Sequence, residues 1–215
     1  MTKITNSKFF RLNVVTSLMC LIPLLIGAVF YNQLPDSIPV HFNIYNQPDN
    51  YASKSFALFG IPLILLLLQI VCCAVVNSDP KQMNATPQLQ YISRFIIPIL
   101  GIMTQCLIIL YVLNDGINVG KVITVVLGII FLLIGNYLPK CKQNYTIGIR
   151  LPWTLADEVN WRKTHRMAGI LMVALSILII IISLAGYEIW TFAILAIAVI
   201  TPCIYSYTLF KKGKK

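Results

Sequence analysis

The chain contains two histidines, His41 and His165, and any imidazole chemistry must be built around one or both of them. His41 stands in the segment LPDSIPVHFNIYNQPDNYASK, where Pro35, Pro39 and Pro48 fix backbone angles and the run Asn-Gln-Pro-Asp, ending at Asp49, signals a turn. With Phe42 and Asn43 beside it, His41 offers an imidazole, a ring and an amide to a ligand; the competing reading is an interfacial loop folded back onto helices. His165 closes a second polar segment, GNYLPKCKQNYTIGIRLPWTLADEVNWRKTHRMAG. There Gly148 permits a turn, Pro152 gives a stiff entry, and Thr154 with Asp157 three residues on predicts a helix N-cap.

On a helical wheel at roughly 100° per residue, Arg162, Lys163 and Arg166 fall on one arc, while Asp157, Glu158, Trp161 and His165 fall on another. The basic arc suits anionic lipid headgroups or a protein partner. Trp153 and Trp161 suit either an interfacial aromatic belt or stacking on a ligand. Arg150, in the context Gly-Ile-Arg-Leu-Pro-Trp, suits bidentate pairing with a carboxylate or phosphate, whether of lipid or of protein. Asp157 and Glu158 diverge by about 100° on a helix, poor geometry for a paired acid and base; charge at a helix N-terminus explains them better.

These two segments punctuate an otherwise apolar chain. Of 215 residues, 58% are hydrophobic and 11% charged, against roughly 45–50% and 25% in soluble domains. The apolar residues form charge-free blocks long enough to cross roughly 30 Å of hydrocarbon. Six transmembrane helices are predicted, over residues 12–31, 56–76, 95–113, 122–138, 167–185 and 189–210, giving an all-α polytopic bundle with a short interfacial helix between the fourth and fifth spans. The first, preceded by Lys3, Lys8 and Arg11, reads as an uncleaved helix rather than a signal peptide, since its apolar run is long and lacks a small-residue cleavage site. Residues 1–113 and 114–215 are read as two three-helix halves of one membrane domain.

With six spans, fifteen of the seventeen cations lie on one side, and Lys54 and Lys121 on the other. The positive-inside rule makes the first side cytoplasmic, with both termini inside. The net charge of +10 therefore marks topology and lipid contact rather than direct nucleic-acid binding. The same topology puts the two histidines on opposite faces, where they cannot share a metal, and no metal or cofactor site is expected. Five of six cysteines lie in apolar blocks and Cys141 in a basic loop, so they read as small hydrophobes rather than disulfide partners. No Asp, Glu, Lys or Arg stands at mid-depth, which disfavours an ion-coupled pump. Gln69 and Gln105 do, and suit hydrogen bonds across the bundle or a substrate site. Pro98 and Pro202 are candidate kinks.

Together the two segments resemble the SdpI family of bacterial membrane proteins. Its members pair an outer LPxxIPxHFN...PD...SK motif, matched here by Pro35, Ile38, Pro39, His41, Phe42, Asn43, Pro48, Asp49, Ser53 and Lys54, with an inner motif. The inner one is matched by Gly135, Asn136, Asn144, Gly148, Arg150, Pro152, Trp153, Thr154, Trp161, Thr164, His165, Arg166 and Gly169. Asn46 replaces a common Gly, and a tolerated left-handed backbone keeps the turn; Leu151 replaces a common Thr and loses a hydroxyl. The resemblance implies a non-enzymatic immunity protein of the bacterial cell membrane that resists a secreted toxic peptide and signals by holding a transcriptional repressor, of the ArsR type, at the membrane. It implies that Pro35, Pro39, His41, Phe42, Asn43, Pro48 and Asp49 meet the peptide. Asn144, Gly148, Arg150, Pro152, Trp153, Thr154, Trp161, His165 and Arg166 are expected to contact a cytoplasmic partner or lipid. The alternatives are a small-molecule or lipid transporter, and an enzyme in which Arg150 and His165 act on a phosphorylated headgroup.

Overall fold

The computed structural model describes residues 2–114 and 116–213, with side chains from Phe9 onward. Lys214 and Lys215, counted above in the cytoplasmic tail, lie outside the described residues, as do the side chains of Lys3 and Lys8. Six helical segments are long and apolar enough to cross a membrane: Phe9–Gln33, Phe56–Asn77, Pro87–Leu113, Val119–Lys140, Glu158–Leu184 and Glu188–Gly213. Their surfaces are inverted relative to a soluble protein. Large apolar side chains such as Leu25, Val29, Phe192 and Ile204 point outward, whereas Thr16, Gln69, Ser176, Ser183 and Ser206 are buried. Hydrocarbon solvates leucine as well as a protein core does, so small and polar residues go to helix contacts, where close approach and hydrogen bonding hold helices together. The chain is a multi-pass membrane protein.

It folds as two compact units, one of Met1–Ala74 with Arg94–Gly120 and one of Val75–Ser93 with Lys121–Lys215. In the first unit, α1 (Thr2–Met19) and α2 (Ile22–Phe30) form one span broken at Cys20 and Leu21. Pro23 causes the break, because it offers no N–H to the preceding turn. The polar segment that follows, expected to be a turn-rich loop, is an antiparallel hairpin of β1 (Ser37–Phe42) and β2 (Pro48–Ser53). Its prolines conceal the alternation that marks a strand, and they fall where a two-stranded ribbon tolerates them. A π-turn, Phe56–Gly60, leads into α3 (Ile61–Asn77), and α4 (Pro87–Leu113) completes the unit. Arg94, counted above among the solvent-side cations, is instead buried within α4: its Nε donates to Asn13 Oδ1 at 2.8 Å and its guanidinium lies 4.8 Å from the Phe9 ring.

In the second unit, α5 (Val119–Tyr137) leads into the inner loop, then a five-residue helix α6 (Pro152–Ala156), then α7 (Glu158–Leu184) and α8 (Thr191–Gly213). Thr154 does not cap the helix that carries His165. It lies inside α6, and Asp157 is the N-cap of α7, accepting from the N–H groups of Val159 and Asn160. The two-faced segment 158–166 is thus the first turns of a 27-residue helix running on into the fifth span. α5 meets α7 at glycines: a Cβ on Gly169 would lie 2.5 Å from Pro139 and 2.7 Å from the Gly135 carbonyl. All six cysteines are free thiols.

Candidate functional site

The hairpin is fixed to its unit at the base and at the tip. At the base, Leu34 and Ile38 are buried with Ala57, Leu58 and Ile109. Lys54 is turned inward: its ammonium donates to the Leu34 carbonyl at 3.1 Å, pairs with Asp36 at 3.3 Å and lies 4.6 Å from the Tyr31 ring. At the tip, Asn43 Oδ1 accepts from the N–H groups of Tyr45 and Gln47, and Asn46 takes the left-handed conformation (φ 58°) expected of it. Asn46 Oδ1 then accepts from the Gly120 N–H at 2.9 Å.

Of the residues expected to meet a peptide, Pro39 is buried, Phe42 stacks edge-on against Tyr111 with ring centroids 4.8 Å apart, and Asn43 and Pro48 are half-buried. These four shape the hairpin. Pro35, His41 and Asp49 are exposed, and His41 Nδ1 lies 2.5 Å from Asp49 Oδ1 across the strands. Ile44, Tyr45 and Tyr51, not singled out by the motif, add outward-facing apolar surface.

The inner loop is a buried polar knot. Asn144, fully buried, accepts with Oδ1 from the N–H groups of Thr146 and Ile147 and donates to the Lys142 carbonyl. Trp161 Nε1 donates to the Cys141 carbonyl at 2.8 Å. His165 stacks on Trp161, with centroids 3.9 Å apart. Its Nδ1 lies 2.8 Å from the Trp161 carbonyl and its Nε2 accepts from the Ile149 N–H at 3.0 Å. The neutral ring protonated on Nδ1 satisfies both. Gly148 (φ 122°) makes this possible, since a Cβ there would lie 2.5 Å from His165 Nε2 and 3.1 Å from the Trp161 ring. Thr154 donates to the Ile149 carbonyl and accepts from the Leu151 N–H. Burial pushes the Cys141 thiol up to about 11, with an opposing hydrogen bond from Asn144.

Five of the nine residues expected on a cytoplasmic contact surface, Asn144, Gly148, Thr154, Trp161 and His165, are therefore wrapped inside the loop. Arg150, Pro152 and Arg166 are exposed, and Arg150 donates to the Tyr145 carbonyl at 2.7 Å. Trp153 is half-buried, donates to Ser206 Oγ and stacks on Phe210. Arg162, Lys163 and Arg166 face outward and Trp161 and His165 inward, but Asp157 and Glu158, expected on the arc of Trp161 and His165, are exposed, because they stand at the N-cap and first position of α7 where the chain enters the helix.

Residues outside the motif complete the knot. Asp79 Oδ2 accepts from the Tyr145 N–H and the Thr146 hydroxyl, and its Oδ1 from the Lys81 N–H. Gln143 donates to the carbonyls of Thr154 and Leu155, and Asn84 to the Gln143 carbonyl. The sequence signal was slight: Asp79 precedes a proline in an Asn-Ser-Asp-Pro turn far from the loop it holds. In the first unit Gln69 donates to Thr16 Oγ1 and the Arg94 carbonyl, each at 2.9 Å, the helix-to-helix bonding expected of it. Among the described residues no group of three or more His, Cys, Asp or Glu side chains is placed to hold a metal ion.

The hairpin and the knot coincide with two matched family models: residues 18–66 match DUF1648, a domain of unknown function, and residues 140–206 match the SdpI/YfhL protein family. Over residues 140–206 the chain is thus similar to the SdpI/YfhL family. It is similar to the protein named Immunity protein SdpI of Bacillus subtilis (strain 168), at 26% identity over 203 residues, covering 93% of this chain and 96% of that protein. It also resembles an uncharacterized protein of Archaeoglobus fulgidus, at 32% identity over 87 residues, or 37% of this chain and 45% of that one. No solved structure matches it significantly. Within the SdpI/YfhL match, the Gly-Ile-Arg-Leu-Pro-Trp-Thr run supplies the backbone groups that His165 and Thr154 hold.

Proposed function

We propose that this protein gives its host resistance to a secreted toxic peptide, with the hairpin outside the cell, the knot in the cytoplasm and both termini inside. The observation that carries the proposal is the near end-to-end relationship to an immunity protein, over 93% of the chain. The exposed side chains of the hairpin, His41, Tyr45, Asp49 and Tyr51, supply the peptide-facing surface. The outward cations Arg150, Arg162, Lys163 and Arg166 supply an inner surface that holds a transcriptional repressor of the ArsR type when the peptide is present.

Deleting the gene tests the central claim. Cells lacking it become sensitive to a peptide secreted by their own or a neighbouring strain, and the intact gene restores growth. Unchanged sensitivity to all such peptides refutes immunity. Orientation is checked separately with single cysteines placed in a cysteine-free variant. A membrane-impermeant maleimide labels position 45 in intact cells and position 163 only after lysis. For the signalling arm, a fluorescent repressor moves to the membrane with the wild type and stays cytosolic when Arg162, Lys163 and Arg166 are all changed to Gln.

A further inference from the structure

The hairpin has only two strands, so each keeps one unpaired edge, and the two edges differ. The Lys54 N–H donates to the Asp36 carbonyl at 2.8 Å, and the register pairs Ser37 with Ser53, Ile38 with Ala52 and Pro39 with Tyr51. Antiparallel ladders alternate hydrogen-bonded and non-bonded pairs. The pair Lys54 and Asp36 is bonded, so Ala52 is bonded to Ile38, while Ser53 and Tyr51 turn their N–H and C=O groups away from β1. Proline at position 39 fits this phase, because its missing N–H falls at a non-bonded pair.

The outer edge of β1 is spoiled for further pairing. Pro39 has no donor, Ile38 and Pro39 are buried, and the ladder is irregular between Pro39 and His41. The outer edge of β2 is intact. Asp49, Asn50, Tyr51 and Ser53 are exposed; among the described residues no turn or loop bond engages the backbone of Tyr51, while the helical turn that opens at Lys54 takes up the Ser53 carbonyl and leaves its N–H. Natural proteins blunt such edges with prolines, lysines or a covering element, and Asp49 to Ser53 contains no proline or lysine. The charge beside this edge is acidic, since Asp36 is fully exposed and Asp49 partly so, whereas Lys54 is turned inward with 15% of its side chain exposed.

We propose that the free edge of β2, through the N–H and carbonyl of Tyr51 and the N–H of Ser53, takes up an extended, cation-bearing segment of a secreted peptide as a third strand. This deepens the immunity reading and rests on it. Tyr51 and Ser53 are two residues apart, about 7 Å along a strand, so the added segment is about three to five residues long. Main-chain pairing gives the affinity, and the Tyr51 and Asp49 side chains set preference.

The test uses the full-length protein and, as probe, a synthetic copy of whichever secreted peptide selectively kills the deletion strain. Tyr51→Pro removes an outward N–H and leaves the bonds to β1, whereas Tyr51→Thr keeps that N–H and removes the ring. The expected result is that Tyr51→Pro loses at least tenfold in the peptide concentration survived, at wild-type abundance in the membrane, and Tyr51→Thr loses less. Should Tyr51→Pro not accumulate, amide exchange of the detergent-solubilised wild type decides. Added peptide must slow exchange at Tyr51 and Ser53 at least tenfold and leave Ala52, already bonded, unchanged. Equal protection by wild type and Tyr51→Pro, or no slowing at these amides, overturns strand addition and leaves immunity standing. Slowing without peptide that grows with protein concentration overturns it in favour of edge pairing between two copies. If no peptide kills the deletion strain selectively, the immunity reading falls and this inference falls with it.

Discussion

Replacing Gly148 by alanine tests whether the inner motif is a folding device. Two penalties apply. The backbone at φ 122° belongs to glycine, and imposing a side chain on such a conformation costs about 1–3 kcal/mol. The new methyl would also lie 2.5 Å from His165 Nε2 and 3.1 Å from the Trp161 ring, so the imidazole must move and the Ile149 N–H loses its acceptor. A buried donor left without a partner costs about 1–3 kcal/mol more.

Gly186 supplies the control, because it too has a positive φ, 86°, but nothing within 4 Å of a Cβ. Gly186→Ala incurs only the first penalty. The difference between the two variants is therefore about 2 kcal/mol, or ~6 °C in Tm for a chain of this size. Thermal unfolding of the purified protein in one detergent, followed by tryptophan fluorescence, measures it. In a His165→Ala background the methyl has room, so the penalties of the two substitutions must not add. Equal losses at Gly148 and Gly186, or strict additivity with His165→Ala, would refute the knot as drawn.

Three further outcomes follow from the same geometry. Asp79→Ala leaves the Tyr145 and Lys81 N–H groups and the Thr146 hydroxyl without their acceptor. It is expected to destabilise the loop by about 2–3 kcal/mol, read as faster proteolysis between Lys140 and Arg150; an unchanged cleavage rate contradicts the assignment. The Cys141 thiol stands near 11 instead of 9, so below pH 9 its thiolate is about a hundredfold scarcer than an ordinary thiol's, and maleimide labelling in the native state must be at least that much slower than in denaturant. Because the folded state holds the raised value, its advantage is complete below about pH 9 and is lost as pH rises from 9 through 11. Labelling as fast as in the unfolded chain would exclude the burial. His41→Ala removes an exposed pair with Asp49, so stability falls by less than about 1 kcal/mol while protection against the peptide is lost; equal protection places the contact elsewhere on the hairpin.

The membrane character, the six spans and the two polar segments were legible because they depend on local composition: a charge-free block of about twenty residues is a spanning helix whatever its neighbours. The separation of Arg162, Lys163 and Arg166 from Trp161 and His165 followed from helical periodicity, and the left-handed turn at Asn46 from the resemblance, which has Gly there, together with the tolerance of Asn for that backbone. What periodicity cannot carry is the partner of a polar group. Asn144, His165 and Thr154 are the residue types that bind ligands, and they are also the types that satisfy a buried backbone; only the fold shows that Ile147, Ile149 and Leu151 are what they hold. Asp79 was invisible for the same reason, since its acceptors serve donors 66 and 67 residues away. The hairpin was missed because strand pairing is non-local and proline masks its alternation. Chain order alone could not decide which edge of that hairpin stays open; burial of β1 against Leu58 and Ile109 decided it.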